Sequence, residues 1–258
     1  MGGYQSRGGD FGNAQELIAL EKYGLQYSPD IVLLQIFPLN DICNNSVQLF
    51  GLCKSPNDPY RPYFIERNGK LVQTSAQPFR NWLRQYSSTY GLLELAWLRY
   101  LSPPADPTDE KMRKEGMRRL GMNPVDPLLL TYSVDEERPP IIEEAWETTE
   151  RIIEEIHRTT IDNGAKLIAV VIPFEARVGD RGRDFENGRP ERMVQDYPEQ
   201  RLGKLFDRLK VPCVMMKPVF EEKIDQFLPT RAGHMNPQAH RMVSEAVFKK
   251  LVESGLAN

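Results

Sequence analysis

A chain of 258 residues, 40% of them hydrophobic, can bury a sizeable core and suits one α/β domain with an insertion better than two domains. Its 33 basic and 36 acidic side chains nearly balance at −3 and are spread along the chain, with no concentrated footprint for nucleic acid or an anionic membrane, so a small or neutral partner is expected. The longest apolar runs, 31–38 and 167–173, fall far short of the ~20 residues of a spanning helix, so no transmembrane segment is expected.

Near the amino end, Asn13 and Glu16 make a capping pair, Leu17, Ile18 and Leu20 an apolar stripe, and Gly24 a helix stop. Pro29-Asp30 launches a run from Ile31 to Phe37, expected as a strand buried on both faces of a parallel sheet. Cys43 and Cys53 fall in one loop, close enough to bridge in an oxidising compartment; the expectation is two unpaired loop thiols, with Cys213 in the core. The three cysteines give no metal-ligand spacing.

Asn68-Gly69 predicts a hairpin turn between 63 and 74, and Phe79 to Leu101 a helix whose aromatic residues pack. Residues 102–140, rich in proline and charge, are expected to form an irregular insertion. Ile141 to Asn163 reads as an amphipathic helix stopped by Gly164, followed by a buried strand from Lys166 to Ile172. A helix near 198–209, a strand at 211–215, a short helix near 219–227 and a closing helix from Pro237 complete the order. The amino end lacks the apolar core of a secretory signal; a missing upstream signal would make the protein extracytoplasmic, and otherwise it is cytoplasmic.

Four stretches then carry a resemblance. Gly8-Gly9-Asp10-Phe11-Gly12-Asn13 runs into a helix; the strand from Val32 ends in Pro38-Leu39-Asn40-Asp41; a long helix with Ala145-Trp146 leads through Gly164-Ala165-Lys166 to Pro173; and Gly233-His234-Met235-Asn236-Pro237 precedes His240. In this order they are similar to the blocks of the SGNH (GDSL-like) hydrolase family, and Arg61-Pro62-Tyr63-Phe64 resembles a segment of bacterial members with an insertion. The resemblance implies a single domain over 1–258, a three-layer, doubly wound, flavodoxin-like parallel sheet, and serine-dependent hydrolysis of acyl or acetyl esters, including acetylated carbohydrates, without metal or cofactor. It implies His234 as general base, Asn40 as oxyanion donor, and a backbone N–H of Gly9, or else Gly12, as the second donor. Without it, Asn40 reads as a turn former, His234 as a surface loop residue, His240 as structural and His157 as solvated.

Two departures qualify the resemblance. The family's first strand ends in Gly-Asp-Ser, and nothing here matches it; Ser6 lies too close to Gly9 for a parallel crossover of about a dozen residues. The chain is therefore expected to start after the nucleophile, lacking the first strand. The acid that the family places just before its histidine is replaced by Arg231 and Ala232, with Asp225 the nearest upstream carboxylate. The alternatives are a catalytically dead binding module for a carbohydrate or acylated ligand, or an unrelated doubly wound binding domain.

Overall fold

The structure, a computed structural model, describes residues 11–53, 61–75, 77–96, 139–174, 178, 196–223 and 235–257, without the side chains of 51–53 and 95. Helix α1 (Asn13–Ala19) is capped one residue earlier than expected. Gly12 N–H donates to Gln15 Oε1 at 2.8 Å, while Asn13, already inside the helix, donates from Nδ2 to Glu16 Oε2 at 2.8 Å. The helix does not stop at Gly24. That residue keeps a right-handed φ of −66°, a π turn (Leu20–Gly24) passes into a 3-10 turn (Leu25–Tyr27), and Ser28 ends the run in the left-handed region at φ 47°.

Strand β1 (Ile31–Ile36) leads directly into α2 (Pro38–Asn45), followed by α3 (Val47–Cys53). A loop was expected here. Pro38 at the first helical position and Asp41, whose Oδ2 accepts from Phe37 N–H at 2.7 Å, are the start signal that was missed. Cys43 therefore lies in a helix, and it is half of a disulfide while Cys213 is free. The expectation of two unpaired loop thiols fails because two consecutive helices replace the loop. The chain's one other cysteine is Cys53, so the unfolded, unreduced protein should release one thiol to Ellman's reagent, and three after reduction. Three without reductant would overturn the pairing.

Strands β2 (Pro62–Arg67) and β3 (Lys70–Ser75) form the expected antiparallel hairpin, with Asn68 and Gly69 at φ 54° and 74°, the positive values that a tight two-residue turn demands. The single helix expected from Phe79 is two, α4 (Pro78–Tyr86) and α5 (Ser88–Ala96). Ser87 breaks it: its backbone is extended, and its Oγ accepts from Tyr90 N–H at 3.2 Å, starting a new helix. Most of the expected insertion, through residue 138, lies outside the described residues.

Helix α6 (Pro140–Asp162), Gly164 at φ 78° and β4 (Lys166–Val171) follow as expected. Then come α7 (Tyr197–Leu209), β5 (Cys213–Met215), α8 (Met216–Glu222) and α9 (Pro237–Glu253). The fold is α/β, and its central sheet is parallel in the order β1-β4-β5, with Ile31 opposite Lys166 and Ala169 opposite Cys213.

Alternation along the strands divides the core in two. Leu34, Ile36, Leu167, Ala169 and Val171 join a cluster with α1, α6 and α7, centred on Trp146. Val170, Ile172 and Val214 join another with Met216 and Phe220 of α8 and Ala239, Met242 and Val247 of α9. Only β4 is buried on both faces. Among the described residues β1 is an edge strand, with Leu33 52% exposed and Gln35 exposed, which corrects the expectation of double burial; Gln35 was the sequence sign of its open face.

Candidate active site

Because β1, β4 and β5 are parallel, the segments that leave them emerge at one edge of the sheet, where doubly wound folds bind ligands. Asn40 is delivered there in the first turn of α2, one residue before Asp41, which is 6% exposed and whose carboxylate locks the helix start. The Asn40 side chain is half-buried and makes no hydrogen bond among the described residues. Its amide N–H and the positive end of α2 can both face developing negative charge.

His234 and Gly9 lie outside the described residues, as do Asp225, Arg231 and Ala232. Met235, next to His234, packs against the same apolar cluster as Phe37, three positions before Asn40. Asn236 then caps α9, its Oδ1 accepting from Ala239 N–H at 2.7 Å, with Pro237 at the first helical position, as the sequence predicts. The start of α9 thus packs against the cluster on that face of the sheet.

Gly12 is not a second oxyanion donor, because its N–H is taken by Gln15. Its smallness serves packing instead: an added Cβ would lie 2.7 Å from Asn44 Cβ. A buried polar network holds this end of α1 against α2 and α6. Asn45 Oδ1 accepts from Ala14 N–H at 3.0 Å, and its Nδ2 donates to Asn13 Oδ1 at 3.1 Å and Thr149 Oγ1 at 3.0 Å. Arg61, 4% exposed, donates to Asn44 O at 3.3 Å and Gln15 Oε1 at 2.8 Å, with its guanidinium 4.7 Å from the Phe50 ring centre. Asn44 is fully buried and keeps its Oδ1 without a partner, a cost of about 1–3 kcal/mol. The adjacent pair Asn44-Asn45 after the apolar Ile42-Cys43 was a sequence signal for this network.

Lys217 was also missed, although a lone lysine closing the apolar run Val214-Met215-Met216 marks it. It is 7% exposed and bonded to Asp196, with Glu221 at 3.9 Å, which ties α8 to the start of α7 at the same rim. Its charge is spent on that pairing.

Burial raises the Glu16 carboxyl above the ordinary range, opposed by the Asn13 hydrogen bond. Burial pushes the Cys213 thiol up to about 12, so it is not a thiolate nucleophile at neutral pH. Desolvation lowers the pKa of His157, which is half-buried and not fully solvated as expected, whereas His240 is exposed and not structural. A cleft beside β5, lined by Phe206, Asp207, Lys210, Cys213 and Lys250 among others, lies away from Asn40. Among the described residues no group of three or more His, Cys, Asp or Glu could hold a metal, and no helix is long and apolar enough to cross a membrane. Compared with family models, characterised proteins and solved structures, the chain matches none.

Proposed function

We propose that this chain carries the base and an oxyanion donor of an SGNH-type hydrolase of acyl or acetyl esters, and that β1, β4 and β5 belong to a three-layer, doubly wound sheet of that type. The observation that carries the reading is Asn40, which leaves a parallel strand in the first turn of a helix with no hydrogen bond to its side chain among the described residues. Met235 lends support, since it packs against the same cluster as Phe37.

In the complete reaction a serine attacks the ester carbonyl, and His234 takes the serine proton and returns it to the leaving alcohol. The oxyanion rests on the Asn40 amide and a backbone N–H, with Gly9 the donor of choice now that Gly12 is engaged. The second reading, a binding module that keeps the crevice without the chemistry, draws on Arg231 and Ala232, where an orienting acid would stand.

Both readings need residues 40 and 234 to flank one small ligand. Nitroxide labels at Asn40→Cys and His234→Cys, in protein with Cys213→Ser, should give a short, narrow distance distribution by pulsed electron resonance. A separation on the scale of the whole domain would remove the base from the site and end the ester-hydrolase reading.

A further inference from the structure

The β2–β3 hairpin runs almost directly into α4, whose sequence sets Phe79, Trp82, Leu83 and Tyr86 on one side and Arg80, Asn81, Arg84 and Gln85 on the other. Such an apolar stripe ordinarily faces a core. This one does not: Phe79, Trp82 and Tyr86 are 72%, 54% and 70% exposed, and no residue of α4 is buried. The rings pack on one another instead, Phe79 and Trp82 stacked at 6.1 Å and Trp82 and Tyr86 tilted at 5.7 Å. Arg80 Nε bonds Glu94 Oε1 of α5 at 2.6 Å and Arg84 lies 4.0 Å from the same carboxylate, so the polar side is anchored and the aromatic side is held outward. Helix α5 adds Leu92 and Leu93, 70% and 67% exposed.

Charge favours one occupant for this face. The segment 62–96 carries Arg67, Lys70, Arg80 and Arg84 against Glu66 and Glu94, net positive in a chain of −3. Glu66 is paired with Arg151 at 3.6 Å, while Arg67 and Lys70, exposed beside the hairpin turn, form no ion pair among the described residues. The balanced charge of the whole chain hides this segregation. A second copy of the chain would bring like charges together. An anionic lipid surface attracts them, and a short helix with Trp, Phe and Tyr on one side and arginines on the other suits the boundary between headgroups and acyl chains.

We propose that α4 docks the protein on an anionic lipid surface, with Phe79, Trp82 and Tyr86 entering the headgroup boundary and Arg67 and Lys70 facing the headgroups. This does not depend on the ester-hydrolase reading.

The test is cosedimentation of the full chain with vesicles of phosphatidylcholine alone and of phosphatidylcholine with phosphatidylglycerol. Binding is expected to the mixed vesicles, weaker at about 1 M salt, where the screening length is about 3 Å. The triple variant Phe79→Ser, Trp82→Ser, Tyr86→Ser should lose at least about tenfold in partitioning, with an unchanged circular dichroism spectrum. Arg67→Gln with Lys70→Gln, which leaves the rings intact, should weaken binding to the mixed vesicles only. Tryptophan emission should shift to the blue on binding, and Trp82→Phe should abolish the shift while binding persists. No affinity for the mixed vesicles, or equal binding by the triple variant, overturns the proposal. So does a wild-type dimer in sedimentation that the triple variant converts to a monomer, because the occupant is then a second copy.

Discussion

Extended at its amino end by a strand that closes in Gly-Asp-Ser, the protein is expected to hydrolyse p-nitrophenyl acetate slowly and through His234, whereas the 258-residue chain should leave a fluorophosphonate probe unreacted. His234 and Asn40 would then have a nucleophile to act on, but Arg231 and Ala232 stand in place of an orienting acid, a loss worth on the order of 10⁴ in turnover. Arg231→Asp or Ala232→Asp in the extended protein should recover part of that factor. Asn40→Ala should cost about 10²–10³ in kcat with little change in KM, since the oxyanion exists only after attack. Rate constants for acetyl ester hydrolysis by these variants, beside His234→Ala, decide it. An extended protein already fully active, indifferent to the added Asp and to His234→Ala, would show that base and partner are misassigned.

The second large effect concerns stability. Trp146→Ala should destabilise the fold by about 3–5 kcal/mol, the usual cost of emptying a large aromatic site. Trp146 is fully buried in the cluster that joins α1, α6 and α7 to the sheet. Its ring meets Tyr197 edge-on at 5.6 Å, and the Arg201 guanidinium lies 5.2 Å from its centre. Burial alone would lower the Arg201 pKa, but hydrogen bonds to Glu150, Tyr197 and Glu143 raise it, so this cation stays charged under the indole. The same variant thus opens a cavity and uncovers a paired charge, while Trp146→Phe should retain most of the stability. Urea denaturation measures both. An alanine variant within about 1 kcal/mol of the parent would mean that the cluster collapses around the gap.

Elements whose signals are local were legible in the sequence. Asn68-Gly69 dictates its turn because both residues tolerate positive φ, Gly164 ends α6 for the same reason, and Asn236-Pro237 starts α9 through one side-chain cap. What depends on distant partners was not legible. Gly12 and Asn13 exchanged roles because Gln15, bridged to Arg61, takes the cap. The run from Ile31 looks doubly buried until the sheet order among the described residues leaves β1 at an edge, and the α4 aromatics look like core until nothing among those residues covers them. Around the candidate site, the turn bearing Asn40 and the Asn236-Pro237 helix start rest on local residues, whereas Asn44-Asn45 and Lys217 stand out in the sequence without naming their partners, which lie on helices remote in the chain.

The register of the sheet also bears on how the chain acquires it. Arg67 meets Lys70 within a few residues, and Ala169 meets Cys213 at a moderate separation, but Ile31 must wait for Lys166. By loop-closure entropy alone, joining β1 to β4 costs about 1 kcal/mol more than joining β4 to β5. Everything from α2 to α6 is tethered at both ends by that pairing, so the segment bearing Asn40 gains its final position only when the longest-range contact of the sheet forms. The rim that carries Asn40 is therefore expected to mature late, and to be lost early when β1 parts from β4.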